Sequence, residues 1–228
     1  MKKTEVPQNL PPLMLETLAQ IPRNVPAALI TRHSIRGEGT NLIASYSVPL
    51  TPEGKDLAEW LGAQLPQPVA NVYSSPVGRC VETGEHLLKG ANQAHSIQTN
   101  SLLVEPGSFV QDIQQVGGFF LKKGPVEFAN RHIAGTVRGM KALSEGSLDI
   151  LYHVHQNLAQ PGTLSIHVTH DTILAPLVAY LQKMPAITQS DWPLMMEGVV
   201  LWFDDNLVHW VWRGKKGSLP LPYDFSKV

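Results

Sequence analysis

Three short apolar runs, at residues 27–31, 70–73 and 163–169, constrain what this chain can fold into more than any other feature. The first shows no polar alternation, the pattern of a strand buried on both faces. Helix signals follow each run. Thr51, Pro52 and Glu53 offer a capping hydroxyl, a first-turn proline and an acid at the positive end of the dipole. Leu57, Leu61 and Leu65 then recur at helical spacing. Ser75 and Pro76 open the next helix, with Val77, Cys80, Val81, Gly84, Leu87 and Leu88 as its buried stripe. A further helix follows residue 169, and Pro176 should delay or bend its start. Strands alternating with helices predict an α/β fold, a three-layer α/β/α sandwich around a largely parallel sheet.

The remaining segments fill in that plan. Residues 1–25 carry five prolines with Pro26 and read as an extended N-terminal arm with a short helix near residues 13–20; residues 26–228 read as one domain. Residues 105–125, rich in Gly and Gln, read as a long insertion of the kind that forms lids or binding loops. Helices are expected at 126–143 and 148–158, and a hairpin at 198–203 and 207–212.

Composition narrows the function classes. With 228 residues, 43% of them hydrophobic, the chain supports one ordinary core. Lys and Arg total 18 against 19 Asp and Glu, which argues against a nucleic-acid partner. The single cysteine, Cys80, excludes an internal disulfide and reads as a buried structural thiol. No segment reads as a signal peptide or a membrane span. The cytoplasm is the expected compartment, although a secreted chain freed of its leader would read the same way.

In open α/β sheets, ligands bind at the carboxyl ends of the strands. Arg32 and His33, then Ser74 through Arg79, then His170 and Asp171, each follow an expected strand and should share that edge. Arg32, Arg36 and Arg79 offer planar forks for phosphate oxygens. His33 suits a nucleophile, its second nitrogen held by the carbonyl of Gly37 or a neighbour. His170 would donate to the phosphoryl group, and Asp171 is placed to protonate the leaving alcohol and then activate water. Glu105 is the alternative acid. No metal or other cofactor is expected. His167 and His170 point to opposite faces of a strand, and neither HExxH nor a cysteine cluster occurs. Phe109, Phe119, Phe120 and Trp192 suit either a substrate mouth or the core, and Glu197 suits an arginine anchor.

These residues resemble the histidine phosphatase superfamily. Arg32-His33 matches its opening pair and Arg36 its second arginine; SSPVGRCVET is similar to its Ser-x-x-x-Arg helix start, LTPEG to a frequent companion motif, and His170 to its second histidine. The His170-Asp171 pair looks like the acid phosphatase branch, whereas Glu105 would serve in the branch that includes phosphoglycerate mutases. The resemblance implies a phosphoglycerate mutase-like fold and hydrolysis of a phosphomonoester through a phosphohistidine, with a small molecule or a phosphorylated macromolecule as substrate. A phosphomutase on the same chemistry, or a non-catalytic phospholigand-binding or protein-binding module, are the alternatives. Ser34 stands where the family has glycine and is expected to narrow the site or turn the imidazole.

Overall fold

The structure is a computed structural model and describes residues 5–38, 47–104, 107–116, 124–222 and 225. Seven strands form one sheet: β1 (Ala27–Arg32), β2 (Val69–Ser74), β3 (Ile97–Thr99), β4 (Leu164–Thr169), β5 (Gly198–Asp204), β6 (Leu207–Trp212) and β7 (Lys215–Pro220). Their order is β3-β2-β4-β1-β5-β6-β7. The first four run parallel, and β5, β6 and β7 continue the sheet antiparallel beyond β1. The predicted α/β sandwich with a parallel centre is therefore observed.

Burial explains the layering. Along β1, Ala27 and Leu29 face one cluster and Ala28 and Ile30 face another, so a strand without alternation supplies both cores. On the first face lie α1 (Met14–Ala19), α2 (Pro52–Gly62) and α3 (Gly78–Gly90), through Met14, Leu18, Leu57, Leu61, Cys80 and Leu87. On the second lie α5 (Leu143–Gln156) and α6 (Asp171–Leu181), through Ile150, Leu151, Val154, Ile173, Leu174 and Leu177. The remaining helix, α4 (Pro125–Ile133), rests on α6 through Ala129, Ala175 and Ala179. The N-terminal segment is packed rather than extended: Leu10, Met14, Leu18 and Ile21 are all buried in the first core. Among the described residues, no helix is long and apolar enough to cross a membrane.

Several boundaries differ from expectation for identifiable reasons. Pro176 neither delays nor bends the start of α6, which begins at Asp171 with Ile173 and Leu174 already bonded to the His170 carbonyl. Eight of its eleven residues are buried, and that packing outweighs the one backbone bond that proline removes. The α4 helix ends ten residues before the expected position, because Gly135 and Gly139 take positive φ and turn the chain. The α5 helix starts correspondingly early. The short edge strands β3 and β7 were not anticipated; β7 has the sequence KKGSLP, which shows little apolar alternation.

The LTPEG segment matters through a close approach. Thr51 caps α2 by accepting from the Gly54 N–H at 3.0 Å, and its own N–H donates to the Ile35 carbonyl. A β-carbon on Gly54 would stand 2.1 Å from that same Ile35 oxygen. Gly54→Ala must therefore displace the loop that follows β1. We expect a destabilisation of about 2 kcal/mol or more in urea unfolding.

Candidate active site

Because β2, β4 and β1 are neighbours and parallel, their carboxyl ends bring the three charged clusters to one edge, as anticipated. His33 follows β1 and is 2% exposed; His170 follows β4 and is 3% exposed. Their rings lie 5.5 Å apart, centre to centre, at 70°. Arg79, buried on the first turn of α3, stands between them. Its Nε donates to His33 Nε2 at 2.9 Å, and its second terminal nitrogen donates to His170 Nδ1 at 3.1 Å.

These bonds define the protonation of both rings. His33 Nδ1 lies 2.8 Å from the Ser34 carbonyl, which only accepts, so Nδ1 carries the hydrogen and Nε2 the lone pair. The carbonyl that holds the ring is that of Ser34, not Gly37. An arginine only donates, so His170 Nδ1 is likewise unprotonated and its Nε2–H points at Ser75 Oγ, 2.9 Å away. Burial is the chief cause that keeps His33 neutral well below the usual histidine range; the Ser34 bond opposes it, and His170, Arg79 and Arg32 add to it. His170 is lowered to about 3, first by burial and then by Arg79, Arg32 and Arg36. Both imidazoles are thus neutral at physiological pH, with a nucleophilic lone pair on each turned to one guanidinium.

Ser34 does not obstruct this arrangement. Its hydroxyl turns away and donates to the Gly54 carbonyl at 2.7 Å, while its N–H donates to Thr83 Oγ1. Thr83 in turn donates to the Arg79 carbonyl, tying the loop after β1 to the helix that carries Arg79. The expectation that Ser34 narrows the site or turns the ring is therefore corrected: the side chain braces the loop from behind. Cys80 is fully buried beneath His170, with its sulfur 3.6 Å from Nε2, in keeping with a packing role.

Asp171 and Arg32 are paired with each other. Arg32 donates to Asp171 Oδ2 at 2.6 Å and to the Pro193 carbonyl at 2.7 Å. The carboxylate also accepts from the Trp192 indole N–H on Oδ2 and from the Thr172 N–H on Oδ1. Every one of these partners donates to the Asp171 side chain, at the start of α6. Arg36 donates to the Gly37 carbonyl and lies near enough for its charge to act on His170. Glu105, Phe119 and Phe120 lie outside the described residues. Phe109 is no part of a mouth: it is 2% exposed in the second core, against Ile173 and α5. His167 faces away from His170 and stacks on Tyr73 at 5.1 Å, while His153 meets Tyr73 and His155 meets Phe203 on different sides of α5.

Trp192, a candidate for the substrate mouth, reaches the site through its bond to Asp171. Ser75, Thr83 and Pro193 reach it without having been singled out for it. Ser75 carried a readable signal, since it is the serine of the Ser-x-x-x-Arg stretch. Pro193 carried none, because its closeness to Arg32 exists only through the chain path between α6 and β5. A groove of about 710 Å³ between the ends of α2 and α3 lies at the opposite edge of the sheet and contains none of these groups.

Residues 30–108 match the family described as the histidine phosphatase superfamily (branch 1). That span holds His33, Arg36 and Arg79 and stops short of the His170-Asp171 pair that suggested the acid phosphatase branch. No curated protein matches the sequence. Among solved structures, a phosphoglycerate mutase from Bacillus anthracis str. Sterne is 18% identical, with 90% of this chain and 95% of that one covered at a TM-score of 0.54. A mycobacterial glucosyl-3-phosphoglycerate phosphatase in complex with VO3 is 15% identical, covering 86% and 99% at 0.54. The fold is thus the phosphoglycerate mutase-like one. The sequence match to the histidine phosphatase superfamily covers the loop after β1 and the helix that carries Arg79.

Proposed function

We propose that the chain is a metal-independent phosphatase that hydrolyses a phosphomonoester through a phosphohistidine. The observation that carries this reading is the Arg79 guanidinium held between His33 Nε2 and His170 Nδ1. A guanidinium held beside two neutral imidazole lone pairs supports the binding of a tetrahedral anion at this point. The incoming dianion takes over Arg79, and with it Arg32 and Arg36; its charge also favours protonation of His170 Nδ1, which then donates to a phosphoryl oxygen. His33 Nε2, released from Arg79, attacks phosphorus in line; the N–P bond forms as the P–O bond to the alcohol breaks.

Asp171 supplies the proton in this scheme. Its resting pair with Arg32 explains the timing: once the dianion draws Arg32 away, the carboxylate takes up a proton from solvent and passes it to the leaving oxygen. It then takes a proton from the attacking water, the N–P bond breaks, and His33 returns to its neutral tautomer. Asp171→Asn should lower kcat for an alkyl phosphate by about 10²–10⁴-fold, whereas Glu105→Gln should lower it far less. The reverse ranking in steady-state assays would transfer the acid role to Glu105.

The test of the reading is a panel of phosphomonoesters run in ¹⁸O-labelled water. Hydrolysis places one labelled oxygen in the released phosphate. Transfer to a second hydroxyl of a phosphorylated sugar acid without label would show a mutase instead. Binding of vanadate with no turnover of any ester would identify a non-catalytic module.

A further inference from the structure

The site described above leaves one half-buried ion pair unused. Glu197, at the entrance to β5, is 4% exposed. It accepts from Arg213 at both oxygens, 2.7 Å from Nε and 2.9 Å from a terminal nitrogen. Arg213 follows β6; it also donates to the carbonyls of Ser190 and Trp192, at 2.6 and 3.2 Å, and lies over the Trp212 ring. One guanidinium thereby ties the middle of the connection between α6 and β5 to its β5 end.

That connection touches the reactive groups at five points. The Trp192 indole donates to Asp171, and the Pro193 carbonyl holds the Arg32 guanidinium. The Glu197 carbonyl accepts from the Arg32 N–H and the Thr31 hydroxyl, and the Met196 N–H donates to the His33 carbonyl. Two non-glycine residues in this assembly, Met196 and Arg213, hold positive φ of 63° and 49°. Such conformations persist only where the surroundings over-determine them. The surroundings reach back to the N-terminal segment: Thr17 accepts from the Gly214 N–H, and Gln20 donates to the Gly214 carbonyl.

We propose that Arg213 and Glu197 are positioning residues that set where Asp171 and Arg32 stand, and through them the leaving-group half of the reaction. The proposal rests on the phosphatase reading in one respect, that Asp171 protonates the leaving oxygen. Arg213 touches no reacting atom. It acts by fixing Trp192 and Pro193, whose bonds aim the carboxylate and hold the guanidinium ready for transfer to phosphate. A lysine keeps the charge but has no fork, so it cannot hold two carboxylate oxygens and two carbonyls at once.

The experiment compares wild type, Arg213→Lys and Trp192→Phe on two esters. The p-nitrophenolate of p-nitrophenyl phosphate departs without a proton, whereas an alkyl phosphate needs one. Both variants should lose about 10-fold or more in kcat on the alkyl ester and much less on the aryl ester. Trp192→Phe leaves the ion pair intact, so it carries the test even where Arg213→Lys folds poorly. Equal losses on both esters would overturn the proposal and leave the phosphatase reading standing. A wild type that cleaves neither ester would overturn the phosphatase reading. In that event the Trp192 indole N–H resonance, assigned by its absence in Trp192→Phe, decides: a shift in Arg213→Lys supports the positioning pair, and an unmoved signal overturns it.

Discussion

Replacement of His33 by alanine should reduce turnover by at least about 10⁴-fold and abolish any covalent phosphoenzyme. The size of the effect follows from the geometry. Among the described residues, His33 Nε2 is the only lone pair that combines a ring fixed by a backbone carbonyl with direct contact to Arg79. His170 cannot substitute, because its free nitrogen faces Arg79 from the other side and its Nε2–H is committed to Ser75. The check is radiolabelled substrate quenched in alkali, since phosphohistidine survives base and not acid. Label retained on wild type and lost on His33→Ala is the expected result. Unchanged turnover or labelling in the variant would remove the nucleophile from this position. Vanadate affinity should survive in part, because the arginines remain.

Substitution of Arg79 by alanine should lower kcat/KM by about 10²–10³-fold, the cost of removing one preorganised donor from a developing anion. A second effect concerns pH. Burial is the largest cause of the low His170 value, about 3, and Arg79 is the next. The same cation also lowers His33. Its removal lets both imidazoles take up protons at higher pH, so the neutral nucleophile is depleted sooner as pH falls. The acidic limb of the pH–rate profile should therefore move upward, with a larger loss near pH 6 than near pH 8. Arg79→Lys separates the contributions. It retains the charge, hence most of the pH effect, but cannot bridge atoms 2.9 and 3.1 Å away on two rings. An acidic limb that stays in place in Arg79→Ala would show that burial alone keeps the histidines neutral.

The legible part of this protein was the part carried by local pattern. The run at β1, apolar without alternation, revealed a central strand because a strand covered on both faces has no polar side to show. The Thr-Pro-Glu-Gly and Ser-Pro helix starts lie close to where capping chemistry put them, although α3 begins at Gly78, two residues beyond Pro76. The edge strands β3 and β7 were invisible for the converse reason: three residues, or a stretch rich in lysine and glycine, lack the periodicity that betrays burial. Pro176 misled because helix propensity is a local quantity, and the burial of α6 is not.

The same division runs through the site. Order along the chain determined that Arg32, His33, Arg79, His170 and Asp171 would gather at one sheet edge, since parallel strands joined by crossovers must align their carboxyl ends. What each of them does there was decided only by tertiary contacts. Arg32 rests on Asp171 rather than in an open pocket, Ser34 braces α2 rather than facing substrate, and Glu197 finds Arg213 across a strand pair. Hydrogen-bond partners depend on distances of tenths of an ångström between residues far apart in sequence. Periodicity and spacing reveal which edge a side chain reaches; only the packed fold determines which atom it meets.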